Sequence, residues 1–402
     1  MFVRASIVSV ALALAAASEV STQGGMVSSD DLVAAVRAGN LDAVKSIASR
    51  APGELDRPDI YGWAPLHYAA SSGNLAIVEW LIPRGIDLSR RDNAGRTPHN
   101  LAAAKGFTEV ASAIARAGGT TGPARFPVVN GPYLGQPPPG LEPRIFAPGI
   151  VSSPDLQEMA STVSADGLEF YFYRNMNETP RRGRLFGCRF EGGRWSEPQE
   201  VAETAPYAAS VPYLSRDGRR LYFWWNNPAP MGAMWMMDRK GAGWSEPTVA
   251  GPGMWLSSSR DGQLFATEFA TGPDGRPTGV YLATVTERDG RYNDHRRLAI
   301  QPNFGDQWHP TIAPDGSYVI FDRGGDHMRV SFKRKDGTWG DSIDLIQHGF
   351  APLAGLATIS ADGKYLFFKQ GEPTSVGHDY SNRDLYWVDI RIIERLRPKE
   401  PI

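Results

Sequence analysis

From residue 157 onward the chain alternates short apolar runs with Asp-Gly pairs. Val211–Leu214 leads into Asp217-Gly218, and Leu221–Trp224 leads out. Asp-Gly between apolar runs predicts a hairpin: Gly accepts positive φ, and the Asp side chain bonds nearby backbone N–H groups. The unit recurs. Asp166-Gly167 precedes Phe170–Phe172, Asp261-Gly262 precedes Leu264-Phe265, Asp315-Gly316 precedes Tyr318–Phe321, and Asp362-Gly363 precedes Tyr365–Phe368. Successive Asp residues stand 51, 44, 54 and 47 apart. A second hairpin signal runs out of phase with the first, a Gly turn followed by an aromatic, at Trp195, Trp244, Tyr292 and Trp339. Each period therefore holds two hairpins, or four strands.

Four-stranded units at this spacing predict the blades of a β-propeller. There are five Asp-Gly hairpins and four Gly-aromatic ones. The missing outer strand is expected at the start, because Glu142-Pro143 and the residues after it match Glu197-Pro198 onward. Residues 142–151 would then complete the last blade and leave no open edge. This gives five blades. Six would follow if 123–140 held strands, and its prolines argue against that.

Upstream the pattern changes to helical, over 28–118. Gly62 and Gly95, Pro65 and Pro98, and Gly73 and Gly106 are each 33 apart. An earlier unit, Leu32–Val44, places Gly39 34 residues before Gly73. Pro65 suits a first helical turn, Gly73 a helix end, and Leu75, Ile77, Val78, Trp80 and Leu81 a packing face. Between the two regions, 119–141 is rich in Pro and Gly and reads as an extended, semi-rigid spacer.

The middle unit, with Pro65-Leu66-His67 followed by Ala69-Ala70, resembles the ankyrin family. His99 and Asn100 depart from it in the third unit, and the first lacks the Pro-Leu-His start. The resemblance implies about three repeats and a surface for a protein or peptide partner, with no chemistry of its own. His67 is expected to bond backbone rather than a metal. Residues 142–397 carry a repeat that resembles the TolB-like, WD-like propeller family, on Asp315-Gly316, on Asp362-Gly363-Lys364 and on Asp384–Val388. That resemblance implies a binding platform. The expected fold is thus a short all-α solenoid followed by an all-β propeller.

Composition changes this picture little. The formal net charge of −2 gives no field to attract nucleic acid or an anionic membrane. Cys188 is the only cysteine, so neither an intramolecular disulfide nor a thiolate zinc site is expected. The remaining histidines show no ligand spacing, and no metal or cofactor is implied. Arg4, the apolar run Ile7–Ala17 and Ser18 read as a secretory signal over residues 1–17, with no membrane span after cleavage. The expectation is an exported, bacterial-type periplasmic or extracellular protein.

A candidate site follows from propeller geometry. Residues just before each inner strand and just after its neighbour share one channel mouth. These include Arg174, Trp225, Asn226, Trp255, Trp308, His309, Arg323 and Lys369, offered as ligand-binding residues. The chief expectation is non-catalytic recognition of a protein or peptide. The alternative is a carbohydrate-binding or carbohydrate-cleaving propeller. Trp225, Trp255 and Trp308 would then stack on sugar rings, and Glu158, Glu268 and Asp322 would supply carboxylates. The segments expected to line the channel contain no Asp or Glu, and no hydrolase or phosphate-binding motif is present.

Overall fold

A computed structural model describes residues 29–176, 183–225, 232–273, 277–288, 291–302, 306–374 and 377–399. The predicted signal segment lies outside them.

The described chain begins with three helix pairs: α1 (Ser29–Arg37) and α2 (Leu41–Arg50), α3 (Pro65–Ser71) and α4 (Leu75–Leu81), α5 (Pro98–Ala104) and α6 (Thr108–Arg116). Pro65 and Pro98 occupy first-turn positions, where a missing N–H costs little. Asn40 and Asn74 cap α2 and α4 by accepting from Ala43 N and Ile77 N. Pro83 turns the end of α4 into a short 3-10 segment closed by left-handed Gly85. Leu66, Ala69, Ala70, Ile77, Val78, Leu81, Ala102 and Ile114 form a continuous core through the pairs. His67 is wholly buried, its Nδ1 accepts from Ala64 N, and burial pulls its pKa down to about 4, so it stays neutral.

The rest is strand-rich and holds several antiparallel sheets. β1 (Arg144–Ile145) comes first. One meander has β2 (Gln157–Val163), β3 (Glu169–Asn175), β4 (Gly183–Glu191), β5 (Arg194–Trp195) and β6 (Gln199–Glu200). The next has β7 (Ser210–Leu214), β8 (Arg220–Trp225), β9 (Ala233–Lys240), β10 (Gly243–Trp244) and β11 (Thr248–Gly251). Then come β12 (Met254–Ser258), β13 (Leu264–Thr271), β14 (Pro277–Arg288) and β15 (Arg291–Arg297), and after them β16 (Trp308–Ile312), β17 (Tyr318–Arg323), β18 (Asp326–Phe332) and β19 (Ile343–Asp344). The last meander is β20 (Gly355–Ile359), β21 (Tyr365–Thr374) and β22 (Gly377–Asp389), followed by helix α7 (Arg391–Glu394). β1 pairs with the outer side of β22, Arg144 opposite Trp387 and Ile145 opposite Tyr386.

The Asp-Gly turns owe their shape to local chemistry. Ser164, Ser215, Ser259 and Ser360 each donate to the Asp two residues on, and Asp166, Asp217 and Asp362 in turn accept from the backbone N–H two residues further.

The leading strands of the five meanders are joined by side-chain hydrogen bonds. Thr162 accepts from Leu214 N. Tyr213 donates to Ser258, and Ser257 donates to Pro310 O while accepting from Ile312 N. Thr311 donates to Ala357 O, and Thr358 donates to Ser161 O. The series β2, β7, β12, β16, β20 thus returns to β2.

The connector was expected to act as a spacer, and the structure differs. Tyr133 and Leu134 are buried among Phe146, Phe170, Phe367 and Trp387. Tyr133 N donates to Gly167 O, Trp195 N and Nε1 donate to Val129 O and Gly131 O, and Asp389 N donates to Gly140 O. Proline and glycine content signals only that no long helix forms. The side chains between them decide whether the segment stands off or packs.

Candidate functional site

Pairing register puts the two sets of candidate residues on one face. Glu158 lies opposite Arg174, Trp308 opposite Asp322, and Gly355 opposite Lys369. The Asp-Gly turns lie at the other end of the same hairpins. There Arg216 donates to Ser258 O and to Ala361 O, reaching from the β7–β8 turn to two other meanders.

Each leading strand is irregular at one equivalent place. Its pairing shifts between Glu158 and Ala160, Ser210 and Tyr213, Met254 and Leu256, Trp308 and Thr311, and Gly355 and Thr358. At four of these bulges a residue with a Cβ takes left-handed backbone: Val211 (φ 46°), Trp255 (φ 63°), His309 (φ 53°) and Leu356 (φ 53°). Such conformations cost on the order of 1–3 kcal/mol each and persist where the surroundings hold them. The bulges turn side chains toward one another. Val211, Trp255 and Leu356 pack together with Ala160, and the Trp255 and His309 rings meet edge-on at 4.8 Å. Nothing in the sequence marks these four positions, because none is glycine.

His309 is held from both sides. Its backbone N donates to Thr267 Oγ1 at 2.8 Å, and its Nδ1 lies 2.9 and 3.0 Å from the two Asp322 oxygens. Asp322 also accepts from Gly325 N and Leu356 N, so it ties β16, β17 and β20 together. Beside it Lys369 is buried, with Nζ 2.6 Å from Asp326 Oδ1. Burial pulls the Lys369 ammonium down, against the opposing pull of Asp326.

The three carboxylates of the hydrolase alternative have separate surroundings. Glu158 is wholly buried and accepts from Arg174 Nε at 2.7 Å and Ser153 N at 3.1 Å. Complete burial pushes its pKa up to about 7 despite Arg174. Glu268 stands 2.7 Å from His295 Nδ1, and burial raises it to about 7. Asp322 serves His309 and two backbone amides. Among the described residues, the partners of Glu158, Glu268 and Asp322 named here are all different. Of the three indoles, Trp255 and Trp308 both meet the His309 ring, while Trp225 has other neighbours. Trp225 packs on Tyr207 and Trp235, with ring centres 4.5 and 5.1 Å away. Trp255 is 4% exposed and offers no open face for a sugar ring. Trp308 lies between Phe269 and His309. Arg323 is exposed at the end of β17, and Asn226 falls outside the described residues. The geometry therefore brings Trp255, Trp308, His309 and Asp322 together. It places Arg174 with Glu158, and Lys369 with Asp326.

A second constellation was not foreseen. The helical stack meets the strand-rich part along 145–155. Arg37 donates to Pro154 O, and Ser71 Oγ donates to Asp155 Oδ2 at 2.7 Å. Lys105 donates to Ser71 Oγ at 2.6 Å and pairs with Asp155. At the turns between pairs, Asn93 Nδ2 donates to Pro148 O at 3.0 Å, and Tyr61 OH donates to buried Asp384 at 2.6 Å.

The described chain is thus a short helical repeat stack followed by a strand-rich part. Comparison with known proteins bears on the stack: residues 32–121 match the ankyrin-repeat family model in three copies. Alpha-latrotoxin-Lh1a of Latrodectus hasselti is 49% identical over 55 residues, which are 13% of this chain and 4% of that protein. Protein phosphatase 1 regulatory subunit 27 of Mus musculus is 36% identical over 76 residues, 19% of this chain and 49% of that protein. The chain thus spans less than half the length of these curated relatives. Among the described residues no helix is long and apolar enough to cross a membrane.

Proposed function

We propose that this is an exported, non-catalytic recognition protein that binds a protein partner, with ankyrin repeats joined to a five-bladed, TolB-like propeller. The observation that carries the binding reading is the set of three ankyrin copies, since such repeats suggest protein–protein interaction. The propeller reading is supported by the hydrogen bonds that lead from β2 through β7, β12, β16 and β20 back to β2. It is supported too by the pairing of β1, from before the first meander, with β22 of the last one.

The test is cross-linking of the full chain in a cell-envelope extract, followed by recapture of the partner with purified components. A defined protein that binds the purified chain with micromolar or tighter affinity is expected. Absence of any such protein, together with turnover of a polysaccharide by the same preparation, would overturn the reading.

A further inference from the structure

The bonds that join the helical stack to the strand-rich part start from its first helices and its turns. Arg37 ends α1, Ser71 ends α3, Lys105 follows α5, and Tyr61 and Asn93 lie between helix pairs. The second helices α2 and α4 supply none of them. An open groove of about 660 Å³ lies by the C-terminal ends of these two helices. Among the described residues, none that line it bonds to the strand-rich part.

Pro83 makes the room. α2 runs for 10 residues and α4 for 7, because Pro83 cannot donate to the preceding turn and passes the chain to left-handed Gly85. The 3-10 turn Pro52–Asp56 after α2 also lines the groove. Its floor is apolar. Leu55 and Ile86 are each 8% exposed and Ala48 is buried beside them, so a ligand reaches this floor only by inserting a side chain. Half-buried Trp80 completes the apolar lining.

The rim is cationic. Arg84 Cζ stands 3.5 Å from the centre of the Trp80 ring, and Arg84 donates to Trp80 O. The stacking holds the guanidinium in place while it stays exposed. Lys45 reaches only Asp42, 3.9 Å away with both side chains in solvent, a pairing worth little. The lining carboxylate, Asp56, is committed to Arg90 at 2.8 Å. Among the described residues, then, neither rim cation has a carboxylate bound closely to it.

This combination fits an apolar side chain with a carboxylate beside it. The volume lies within the roughly 300–1,000 Å³ usual for ligand pockets. A guanidinium presents paired N–H groups to a carboxylate, and stacking on Trp80 pre-organises them. A lipid surface fits less well. Charge-driven docking on a membrane draws on clusters of about 4–8 cations, and here the apolar groups line a hollow rather than project from the surface.

We infer that the α2–α4 groove is a docking site for a protein segment that inserts an apolar side chain among Ala48, Leu55, Trp80 and Ile86 and sets an acidic one against Lys45 and Arg84. The inference rests on the protein-recognition reading and names the face of the stack and the chemistry of the partner.

The probe is a phage-displayed library of random dodecapeptides, selected on the full-length protein and in parallel on full-length Lys45→Glu/Arg84→Glu. Both substitutions fall at exposed positions, where the fold is expected to tolerate them. The unmodified protein should enrich peptides that carry an aromatic or aliphatic residue within four positions of Asp or Glu. A fluorescein-labelled copy of the strongest should bind the double variant at least tenfold more weakly. Replacing its acids by Lys should reverse that preference, which also shows the variant to be folded. An environment-sensitive dye on Ser49→Cys, at the groove, should change its emission when the peptide binds; Cys188 is buried and does not compete for the label. Absence of that enrichment, equal affinity for both proteins, or an unresponsive dye would overturn the inference. So would sedimentation with phosphatidylcholine vesicles containing one part in four phosphatidylglycerol, if the double substitution abolished it, since the cations would then serve a lipid surface. Partner capture by cross-linking that is unchanged by Lys45→Glu/Arg84→Glu refutes the groove alone, whereas absence of any captured partner from the unmodified chain refutes the recognition reading.

Discussion

Arg174→Met isolates what the Glu158–Arg174 pair does at the strand-start face. Glu158 is wholly buried, and Arg174 keeps only 13% of its side chain exposed. Arg174 also donates to Val151 O at 2.7 Å, and its guanidinium stands 5.0 Å from both the Phe172 and Phe186 rings. Met replaces the apolar stem but not the charge, so Glu158 keeps only Ser153 N as a donor. Removing one member of a buried pair costs about 3–5 kcal/mol when the other must stay charged. Here Glu158 has an escape, because it takes up a proton readily. Its folded pKa, about 7, lies above the ordinary 4.5, so the wild-type fold binds a proton that the unfolded chain releases between those values. The associated stability is fully present below pH 4.5 and is lost as pH rises through 7. At pH 5 Glu158 is neutral in both proteins, and Arg174→Met removes only ordinary hydrogen bonds, about 1 kcal/mol. At pH 8.5 it removes the counter-charge of an anion, about 3 kcal/mol. Urea unfolding followed by Trp fluorescence at the two pH values measures the difference. Glu158→Gln in the same background should flatten it. A loss that is equal at pH 5 and 8.5, or below about 0.5 kcal/mol at both, would refute the reasoning.

Two further outcomes test how the parts are joined. Tyr61→Phe removes the hydroxyl that Asp384 accepts at 2.6 Å across the two regions, and should cost about 1.5–3 kcal/mol in denaturant unfolding. If Tyr61→Phe leaves stability unchanged, the contact does not couple them. Gly355→Ala would place a Cβ 1.9 Å from Gly325 O, a backbone atom that cannot swing away. A loss of more than about 3 kcal/mol, or no soluble folded protein, is expected, and wild-type stability would show that the β18–β20 approach is wrong.

The elements of this chain were legible to different degrees, for physical reasons. The helix pairs could be placed because Pro65, Gly73 and their copies punctuate the chain locally at a fixed period. The strand hairpins were visible for the same reason, since Asp217-Gly218 and its copies encode their turns within five residues. Even the place of Arg144–Ile145 beside β22 could be read, because Glu142-Pro143 copies an outer-strand signal. The bulges at Val211, Trp255, His309 and Leu356 could not. Their left-handed backbone is imposed by neighbouring strands, and no glycine announces it. The same holds for Asp155. In sequence it is one acid beside a proline, and its partners are 50 and 84 residues away. Candidate residues were found by position within the hairpin, which predicts the face they share. Position does not predict that Glu158 and Asp322 satisfy themselves with separate neighbours.

The two residues of β1 have a consequence for how this chain can be cut. Phe146 N also donates to Leu385 O, and Ser152 Oγ bonds both sides of the Leu385 peptide. The cover over the outer edge of β22 thus comes from the segment that leads out of the ankyrin stack. A cleavage near residue 122 would leave that cover with the strand-rich fragment. A cleavage at 156 would strip it and expose a row of unpaired amides and carbonyls beside Tyr386 and Trp387. Such an edge templates pairing with other chains. The same short stretch that lends Asp155 to the stack therefore shields an edge of β22, and a protease that cut behind it would leave the strand-rich fragment with an edge open to pairing with other chains.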